Sequence, residues 1–253
     1  MPYFVKYLQL VAPAPWLIII LENNLNSQKI KHWVFDLDNT LYPASSNLFS
    51  KIDLRMKEFI IKNLNLEPEE AYKIQKQYYL EYGTTLSGLM KNHNILPKEF
   101  LEYVHNIDTS SLDKDARLGK ILKKLPGDLY IYTNGSSTHA INVMKRLEIN
   151  NYIDNIFDIE DANYIPKPSK ESLDVFIKKF NINPLETIFF EDISKNLINA
   201  KKIGFQTVLI KSTSHPDINT AIIQEENINR KFIDYISYDL PSTLEEIYLD
   251  INS

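Results

Sequence analysis

The sequence predicts an α/β protein built on a doubly wound parallel sheet, with a helical cap domain inserted after the first strand. Short apolar runs that end in polar residues alternate with segments of helix length, and this alternation is typical of a parallel sheet covered by helices. Between the first two runs, from about residue 47 to 121, the apolar positions follow a helical period instead. The 253 residues, 44% of them hydrophobic, suffice to build both parts.

The apolar run His32–Phe35 predicts a buried first strand, because it ends abruptly in an acidic cluster that begins at Asp36. Four further strand-like runs follow, at residues 129–132, 156–159, 187–190 and 207–210. Helices are predicted at residues 137–147, 170–180, 196–203 and 241–249. In such a sheet the ligand site lies at the carboxyl ends of the strands, so we expect the polar residues that follow three of these strands to meet there.

These patterns divide the chain into three predicted parts. Residues 31–46 and 116–253 form the sheet domain, residues 47–115 form the helical cap, and residues 1–30 form an N-terminal extension. The extension contains the apolar stretch 11–21, which two prolines interrupt. This stretch is far shorter than the ~20 residues of a membrane helix, and we expect it to pack on the domain surface rather than to act as a cleaved signal. The polar segment 217–230 is predicted to be a surface loop.

The composition excludes several classes of function. With 28 basic and 33 acidic residues the formal charge is -5, so no overall positive field attracts a nucleic acid polymer or an anionic membrane. A small anion can still be bound, but only by basic or N–H groups placed around its own site. The absence of cysteine excludes disulfides, thiolate zinc sites and cysteine nucleophiles, and it fits a cytoplasmic location. Any metal site is expected to use oxygen ligands.

Four short segments carry the candidate chemistry. Asp36 and Asp38 end the first strand, Thr133 and Asn134 follow the second, Lys167 lies between Pro166 and Pro168, and Glu191 and Asp192 follow the run 187–190. Taken singly, each has an ordinary explanation, because polar residues after strands are usually turn or cap residues and most lysines are solvated. As a set, however, the four segments offer a nucleophile, a proton donor and charge neutralisation. The hydrolysis of a phosphate ester, which is very slow without catalysis, needs these three at one place.

Together the four segments resemble the motifs of haloacid dehalogenase (HAD) superfamily hydrolases, in the order of that family, across roughly residues 33–210. The resemblance is carried by FDLDNTLYP at residues 35–43, TNG at 133–135, IPKP at 165–168 and FEDISKNL at 190–197. It implies a phosphatase in which Asp36 is the nucleophile and forms an aspartyl-phosphate. Asp38 would protonate the leaving oxygen and later activate water.

The same resemblance implies Mg²⁺ as the cofactor and a small phosphorylated metabolite as the substrate. The implied metal ligands are Asp36, the Asp38 backbone carbonyl, Asp192, and Glu191 either directly or through water. Thr133, Asn134 and Lys167 would bind the phosphate, and Lys167 would also contact the nucleophile. Many relatives have aspartate and serine where this chain has Glu191 and Ile193, so the outer contacts of the metal differ from the usual pattern.

The cap segment resembles that of pyrimidine 5′-nucleotidase-like members of the family. The similar residues are LYP at 41–43, YGTTLSGL at 82–89 and HNID at 105–108. This resemblance implies hydrolysis of a pyrimidine nucleoside 5′-monophosphate such as UMP or CMP. Tyr82, Thr84 and Thr85 are candidate cap contacts to the organic part of the substrate, with packing roles equally open. His93, His105 and His139 are scattered over helical segments and are interpreted as structural or surface residues.

Three alternative functions remain open at this point. A 2-haloacid dehalogenase would share the fold and the nucleophile but would need neither the Asp38 carboxyl nor a magnesium site. A sugar-phosphate mutase would use the same acid/base pair and return the phosphate to its intermediate. A non-catalytic phosphate-binding regulator would keep the motifs without turnover.

Overall fold

The computed structural model describes residues 25–153, 155–211 and 229–253. In this part of the chain, six strands form one parallel sheet: β1 (His32–Phe35), β2 (Asp128–Tyr132), β3 (Asn155–Phe157), β4 (Thr187–Glu191), β5 (Gln206–Ile210) and β6 (Tyr235–Ser237). The strand order is β3-β2-β1-β4-β5-β6. The predicted parallel sheet is confirmed.

β1 lies between β2 and β4, in a register that pairs Phe35 with Ile131 and with Phe190. Because the strands are parallel, their carboxyl ends share one edge of the sheet. The chain order reverses between β1 and β4, and ligands bind at this kind of reversal in doubly wound sheets. The residues that follow β1, β2 and β4 are therefore brought to one place.

Four α-helices follow β1 before the chain returns to the sheet domain. They are α1 (Leu48–Leu64), α2 (Pro68–Tyr82), α3 (Thr85–His93) and α4 (Pro97–Val104). These helices, hereafter the cap, bury a core of their own around Phe59, Leu89 and Phe100. The described helices of the sheet domain are α5 (Ala116–Leu122), α6 (Ser137–Leu147), α7 (Lys170–Phe180), α8 (Leu197–Lys202) and α9 (Leu240–Ile251).

Alternating side chains of the strands face two separate cores. In β1, Trp33 and Phe35 pack with α5, α6 and α9, whereas Val34 packs with α7 and α8 on the other face. All three side chains are fully buried, and Trp33 Nε1 donates a hydrogen bond to the Pro126 carbonyl at 2.7 Å. With helices on both faces, the end of β1 is held rigidly, and so is the residue that follows it.

β3 and β6 differ from the sequence-based expectation. β3 ends at Phe157, two residues early, because Asp158 turns to accept hydrogen bonds from the backbone N–H groups of Ser137 at 2.7 Å and Glu160 at 3.0 Å. The carboxylate thus helps to cap α6 instead of continuing the strand. β6 was not predicted, because three residues are too few to show an alternating pattern.

Residues 25–30, assigned above to the extension, pack on the sheet domain. Ile30 is 5% exposed in the core below the sheet, and the Asn26 backbone N–H donates to the Gln206 side chain at 2.6 Å. The sheet domain therefore begins before residue 31. The apolar stretch 11–21 and residues 217–228 of the predicted loop lie outside the described residues. Within the described ranges, no helix has the length and apolar character needed to cross a bilayer.

Helices α2 and α3 approach each other closely at Gly88. A Cβ atom added at Gly88 would lie 2.3 Å from Cγ of Tyr78, far inside van der Waals contact. We expect Gly88→Ala to lower the free energy of unfolding by about 1–2 kcal/mol, because displacing the packed ring costs more than the gain in helix propensity. Thermal unfolding followed by circular dichroism measures this loss.

Gly119→Ala, in α5, is the matched control for that experiment. A Cβ atom there would lie 3.6 Å from Cε2 of Tyr152, which is ordinary contact. This variant is expected to keep or raise the Tm, since helix propensity is gained without a clash. Equal losses in the two variants would contradict the steric explanation.

Candidate active site

Lys167 lies at the centre of the site and is 3% exposed. Its Nζ donates to Asp36 Oδ1 at 2.6 Å, to Glu191 Oε2 at 2.7 Å and to the Tyr132 carbonyl at 2.8 Å. Burial alone would lower the pKa of Lys167, but the two carboxylates raise it. The ammonium is therefore charged, and its three protons fix it beside the ends of β1, β2 and β4.

Asp36 is positioned by the central strand. Its backbone N–H donates to the Phe190 carbonyl at 2.9 Å and so extends the pairing of β1 with β4. Oδ1 accepts from Lys167, whereas Oδ2 accepts no hydrogen bond from the described part of the chain. Burial and the charge of Glu191 raise the pKa of Asp36, Lys167 opposes both effects, and the resulting pKa is about 7. The position of this carboxylate is fixed, and one of its oxygens is unoccupied by protein.

Asp36, Glu191 and Asp192 form an acidic cluster, in which one carboxylate oxygen from each residue lies within 4.8 Å of the others. Burial raises the pKa of Asp192 well above its ordinary range, and Glu191 and Asp36 raise it further. Three carboxylates face the single ammonium of Lys167, so negative charge is in excess. An all-oxygen, negatively charged donor set is the kind that Mg²⁺ prefers, and the residues present therefore fit a hard divalent cation.

Glu191 and Asp192 differ in how far protein groups occupy their oxygens. Glu191 is 1% exposed, with Oε2 accepting from Lys167 and Oε1 accepting from the Ile193 backbone N–H at 3.1 Å. Asp192 is only partly buried, and its Oδ2 accepts a long hydrogen bond from Asn39 Nδ2 at 3.5 Å. Of the two, Asp192 is more available to a cation, and Glu191 fixes the ammonium of Lys167.

Thr133 and Asn134 follow β2 at the same edge of the sheet. Thr133 is 2% exposed, and its Oγ1 accepts from the Gly135 backbone N–H at 2.9 Å, which leaves the hydroxyl proton for another acceptor. The Asn134 amide brackets the backbone of Lys167: its Oδ1 accepts from the Lys167 N–H at 2.8 Å and its Nδ2 donates to the Lys167 carbonyl at 3.4 Å. The Asn134 side chain thus holds the loop that carries Lys167.

Asp38 is held by two buried side chains. Its Oδ1 lies 2.8 Å from His139 Nε2 and accepts from the Tyr42 hydroxyl at 2.5 Å. Since a carboxylate can only accept, the proton of this pair is on His139 Nε2. Burial tends to raise the pKa of Asp38, but the interactions with His139 and Tyr42 together lower it. Asp38 is therefore charged, whereas the charge on Asp36 is disfavoured.

Of the two interpretations given for His139, structural or surface, the structure excludes the second, because the side chain is 1% exposed and its ring contacts Asp38. The His139 and His105 rings stack, with centroids 4.5 Å apart and planes 8° apart, and His105 Nδ1 lies 2.8 Å from Ser136 Oγ. Burial lowers the pKa of His105 to about 3, so this ring is neutral. The available signal was the place of His139 on the first turn of α6, the helix that follows Thr133.

The three candidate cap contacts all have partners within the cap. Thr84 Oγ1 accepts from the Ser87 backbone N–H at 3.1 Å and caps α3, and the buried Thr85 hydroxyl donates to the Gln75 carbonyl at 3.2 Å. Tyr82 packs edge-on against Tyr78, with ring centroids 5.7 Å apart. Of the two roles left open for these residues, the hydroxyls of both threonines serve capping and packing.

The cap nevertheless meets the site. A Cβ added at Gly83, in the turn between α2 and α3, would lie 3.5 Å from Cγ of Pro166 and 3.8 Å from the Lys167 carbonyl oxygen. Lys195 lies in the loop after β4, and its ammonium is 4.4 Å from the centre of the Tyr79 ring on α2. The cap therefore contacts both the Lys167 loop and the loop after β4.

Several known proteins are similar to this chain. Phosphate metabolism protein 8 of Saccharomyces cerevisiae is 27% identical over 220 residues, which cover 79% of this chain and 68% of that protein. The glyceraldehyde 3-phosphate phosphatase of Methanocaldococcus jannaschii is 28% identical over 216 residues, which cover 79% of this chain and 93% of that enzyme. The HAD-hydrolase YfnB of Bacillus subtilis, solved bound to magnesium, has the same fold with a TM-score of 0.51 and 17% identity, covering 88% of this chain and 99% of YfnB.

The family model described as haloacid dehalogenase-like hydrolase matches residues 33–210. This range runs from β1 to the end of β5 and contains every residue of the site described above. It covers well over half of the 253 residues. The chain therefore belongs to the haloacid dehalogenase-like hydrolase family.

Proposed function

We propose that the protein is a magnesium-dependent phosphomonoester hydrolase that works through an aspartyl-phosphate on Asp36. The observation that carries this proposal is the Lys167 ammonium, 2.6 Å from Asp36 Oδ1, inside an acidic cluster whose charge it only partly neutralises. A buried carboxylate with one oxygen free is suited to attack phosphorus when cationic groups flank it. The phosphatase named among the relatives supports the same reaction class.

In the first step, Asp36 Oδ2 attacks phosphorus, the ester P–O bond breaks, and Asp38 gives its proton to the departing alcohol oxygen. The negative charge of a bound phosphate ester raises the pKa of Asp38, so the proton is taken up as substrate binds. Lys167 and the Thr133 hydroxyl stabilise charge on the transferring phosphoryl oxygens. In the second step, Asp38 takes a proton from water, the water oxygen bonds to phosphorus, and Asp36 is released.

Asp36 and Asp192, with the Asp38 backbone carbonyl and Glu191, are the groups that would hold the cation. Bound Mg²⁺ supplies charge neutralisation between the nucleophile and the phosphate. The protein keeps these oxygens in place through the Lys167 ammonium, which lies 2.6 Å from Asp36 Oδ1 and 2.7 Å from Glu191 Oε2. Without a counter-charge, the carboxylates would repel an incoming phosphate.

For the substrate, we propose a small phosphorylated metabolite, with pyrimidine nucleoside 5′-monophosphates such as UMP and CMP as the first candidates. The resemblance of residues 41–43, 82–89 and 105–108 to pyrimidine 5′-nucleotidase-like proteins supports this choice. Triose phosphates are the second candidates, because a relative 28% identical over most of both chains is a glyceraldehyde 3-phosphate phosphatase. We further propose a cytoplasmic enzyme with no nucleic acid polymer or membrane as partner, in keeping with the net charge of -5 and the absence of cysteine.

A phosphate-release panel tests the reaction class and the substrate together. It contains UMP, CMP, glyceraldehyde 3-phosphate, hexose phosphates, phosphoglycolate and p-nitrophenyl phosphate, each with Mg²⁺. Phosphate release from at least one of these supports the proposal, and the highest kcat/KM identifies the substrate class. No release from any of them would favour a regulator without turnover. Chloride release from 2-haloacids would point to a dehalogenase, and a requirement for a bisphosphate activator would point to a mutase.

Chelation is expected to abolish activity. EDTA should stop phosphate release and excess Mg²⁺ should restore it, because the acidic cluster is left with uncompensated charge when no cation is bound. Mg²⁺ should also raise the Tm, since a ligand at about 100 times its Kd stabilises the folded state by about 2.7 kcal/mol. Asp192→Asn is expected to reduce this rise. Activity that is indifferent to EDTA would contradict the assignment of the acidic cluster.

A further inference from the structure

His139 is a buried histidine that the mechanism above does not use. It is 1% exposed, and its Nε2 lies 2.8 Å from Asp38 Oδ1. The same oxygen accepts from the Tyr42 hydroxyl, and Tyr42 is 2% exposed. In the described part of the chain, Asp38 Oδ2 accepts no hydrogen bond from protein. The two oxygens of Asp38 are therefore not equivalent, because one is occupied by two donors and the other is free.

This inequality has a mechanistic consequence. A carboxyl that must pass a proton to an alcohol oxygen needs that proton on a defined oxygen, and a freely rotating carboxyl has none. Because Oδ1 already accepts from the His139 N–H and from the Tyr42 hydroxyl, a proton on Asp38 can only reside on Oδ2. When this proton leaves with the alcohol, the carboxylate that remains keeps both hydrogen bonds at Oδ1.

We propose that His139 is a positioning residue that acts through Asp38: by occupying Oδ1 it presents Oδ2 as the oxygen that gives the proton to the leaving alcohol. This role rests on the phosphatase function proposed above. In the described part of the chain, the His139 side chain is hydrogen-bonded to the Asp38 carboxylate and to neither Asp36 nor Asp192, so we expect its loss to affect the proton transfer above all.

His105 holds the His139 ring in this place. Its ring is parallel to that of His139, 4.5 Å away, and it is anchored by Ser136 at 2.8 Å. Ser136 Oγ also accepts from the His139 backbone N–H at 3.3 Å, so one hydroxyl fixes both histidines. Because His105 directly follows α4, the last helix of the cap, the orientation of the acid/base depends on the position of the cap.

Leaving groups of different basicity separate this role from a structural one. p-Nitrophenolate departs without protonation, whereas an alkoxide needs a proton from Asp38. The measured quantity is kcat/KM, which covers only the steps up to departure of the alcohol. It is compared for p-nitrophenyl phosphate and for the alkyl phosphate of the panel with the highest kcat/KM.

His139→Leu keeps much of the ring volume but removes the N–H donor. We expect it to lower kcat/KM by about 10- to 100-fold for the alkyl phosphate and by less than about 3-fold for p-nitrophenyl phosphate. The loss on the alkyl phosphate is smaller than the full contribution of general acid catalysis, because Asp38 itself is still present. His139→Gln keeps an N–H donor, so the ratio of its kcat/KM values for the two substrates should be close to the wild-type ratio. This ratio does not depend on the folded fraction, because misfolding lowers both rates equally.

His93→Leu is the matched control. His93 is a partly buried cap histidine whose Nε2 lies 2.7 Å from the Tyr78 hydroxyl, and its loss should leave the ratio unchanged. An equal loss on both substrates in His139→Leu would overturn the positioning role while leaving the phosphatase function intact. A wild-type protein inactive on the whole panel would instead overturn the proposed function, and this inference with it.

Nuclear magnetic resonance of the imidazole N–H groups provides a readout that needs no turnover. The His139 Nε2 proton should be protected from exchange in the wild-type protein and absent in His139→Gln. It should move in Asp38→Ala, whereas the His93 signals stay in place. A His139 signal that does not respond to Asp38→Ala would show that the pair is absent in solution and would overturn the proposal.

Discussion

Asp36→Asn is expected to lower turnover by about 10⁴-fold or more, which corresponds to about 5.4 kcal/mol of transition-state stabilisation. The amide has nearly the shape of the carboxylate, but it is neutral and a poor nucleophile, so no aspartyl-phosphate forms. The measurement is phosphate release by the purified variant with saturating Mg²⁺. Wild-type-like rates would remove Asp36 from the mechanism.

The fold should tolerate this change. Burial and the neighbouring Glu191 raise the pKa of Asp36 to about 7, which means that the folded protein without a cation disfavours the charge that the substitution removes. Asp234→Asn is the matched control. Asp234 accepts from Lys201 Nζ at 2.5 and 2.7 Å, and it lies before β6, at the amino ends of the strands, whereas the site lies at their carboxyl ends. This variant removes an aspartate from a lysine pair outside the site and should leave phosphate release unchanged.

Lys167→Met is expected to lower both activity and stability. Removing a charged donor that faces developing negative charge costs about 10²- to 10³-fold in kcat. Removing one partner of a buried ion pair costs about 3–5 kcal/mol of folding free energy, because Asp36 and Glu191 lose the cation between them. Denaturant unfolding with EDTA present measures the second effect without a metal ion to compensate.

A second substitution separates the two effects. Glu191→Gln in the Lys167→Met background removes one of the stranded carboxylates and should recover part of the stability, but not the activity. Lys201→Met, which removes a lysine whose side chain is 33% exposed, should cost less stability and no activity. Recovery of turnover in the double variant would mean that Lys167 serves only to neutralise Glu191.

Much of the fold was predictable because the strands carry local signatures. β1 has the predicted bounds, and α6 and α7 also begin and end where their apolar period predicts. A strand buried on both faces must be apolar throughout, so its end is marked by the first charged residue. Asp36 and Asp192 could be assigned to one edge of the sheet because each directly follows such a strand.

The partners of these residues could not be predicted in the same way. Asn134 was predicted to bind phosphate through its backbone or its side chain, and its side-chain amide is used by the Lys167 backbone, 33 residues further on. For Thr85 the sequence left a substrate contact and a packing role equally open, and its hydroxyl donates to a carbonyl of the neighbouring helix, 10 residues away. A hydroxyl or amide has the same local sequence signature whichever acceptor it finally meets, so its use depends on packing between segments.

The sequence by itself determined the order of the strands along the chain, the edge of the sheet at which the acidic residues collect, and the reaction class that their motifs imply. Only the tertiary structure decided which groups hold which: Lys167 between two carboxylates, and Asp38 in contact with a histidine 101 residues away. The physical reason is that periodicity reports burial and chain direction over a few residues. Hydrogen bonds and ion pairs require distances below about 4 Å between segments that only folding brings together.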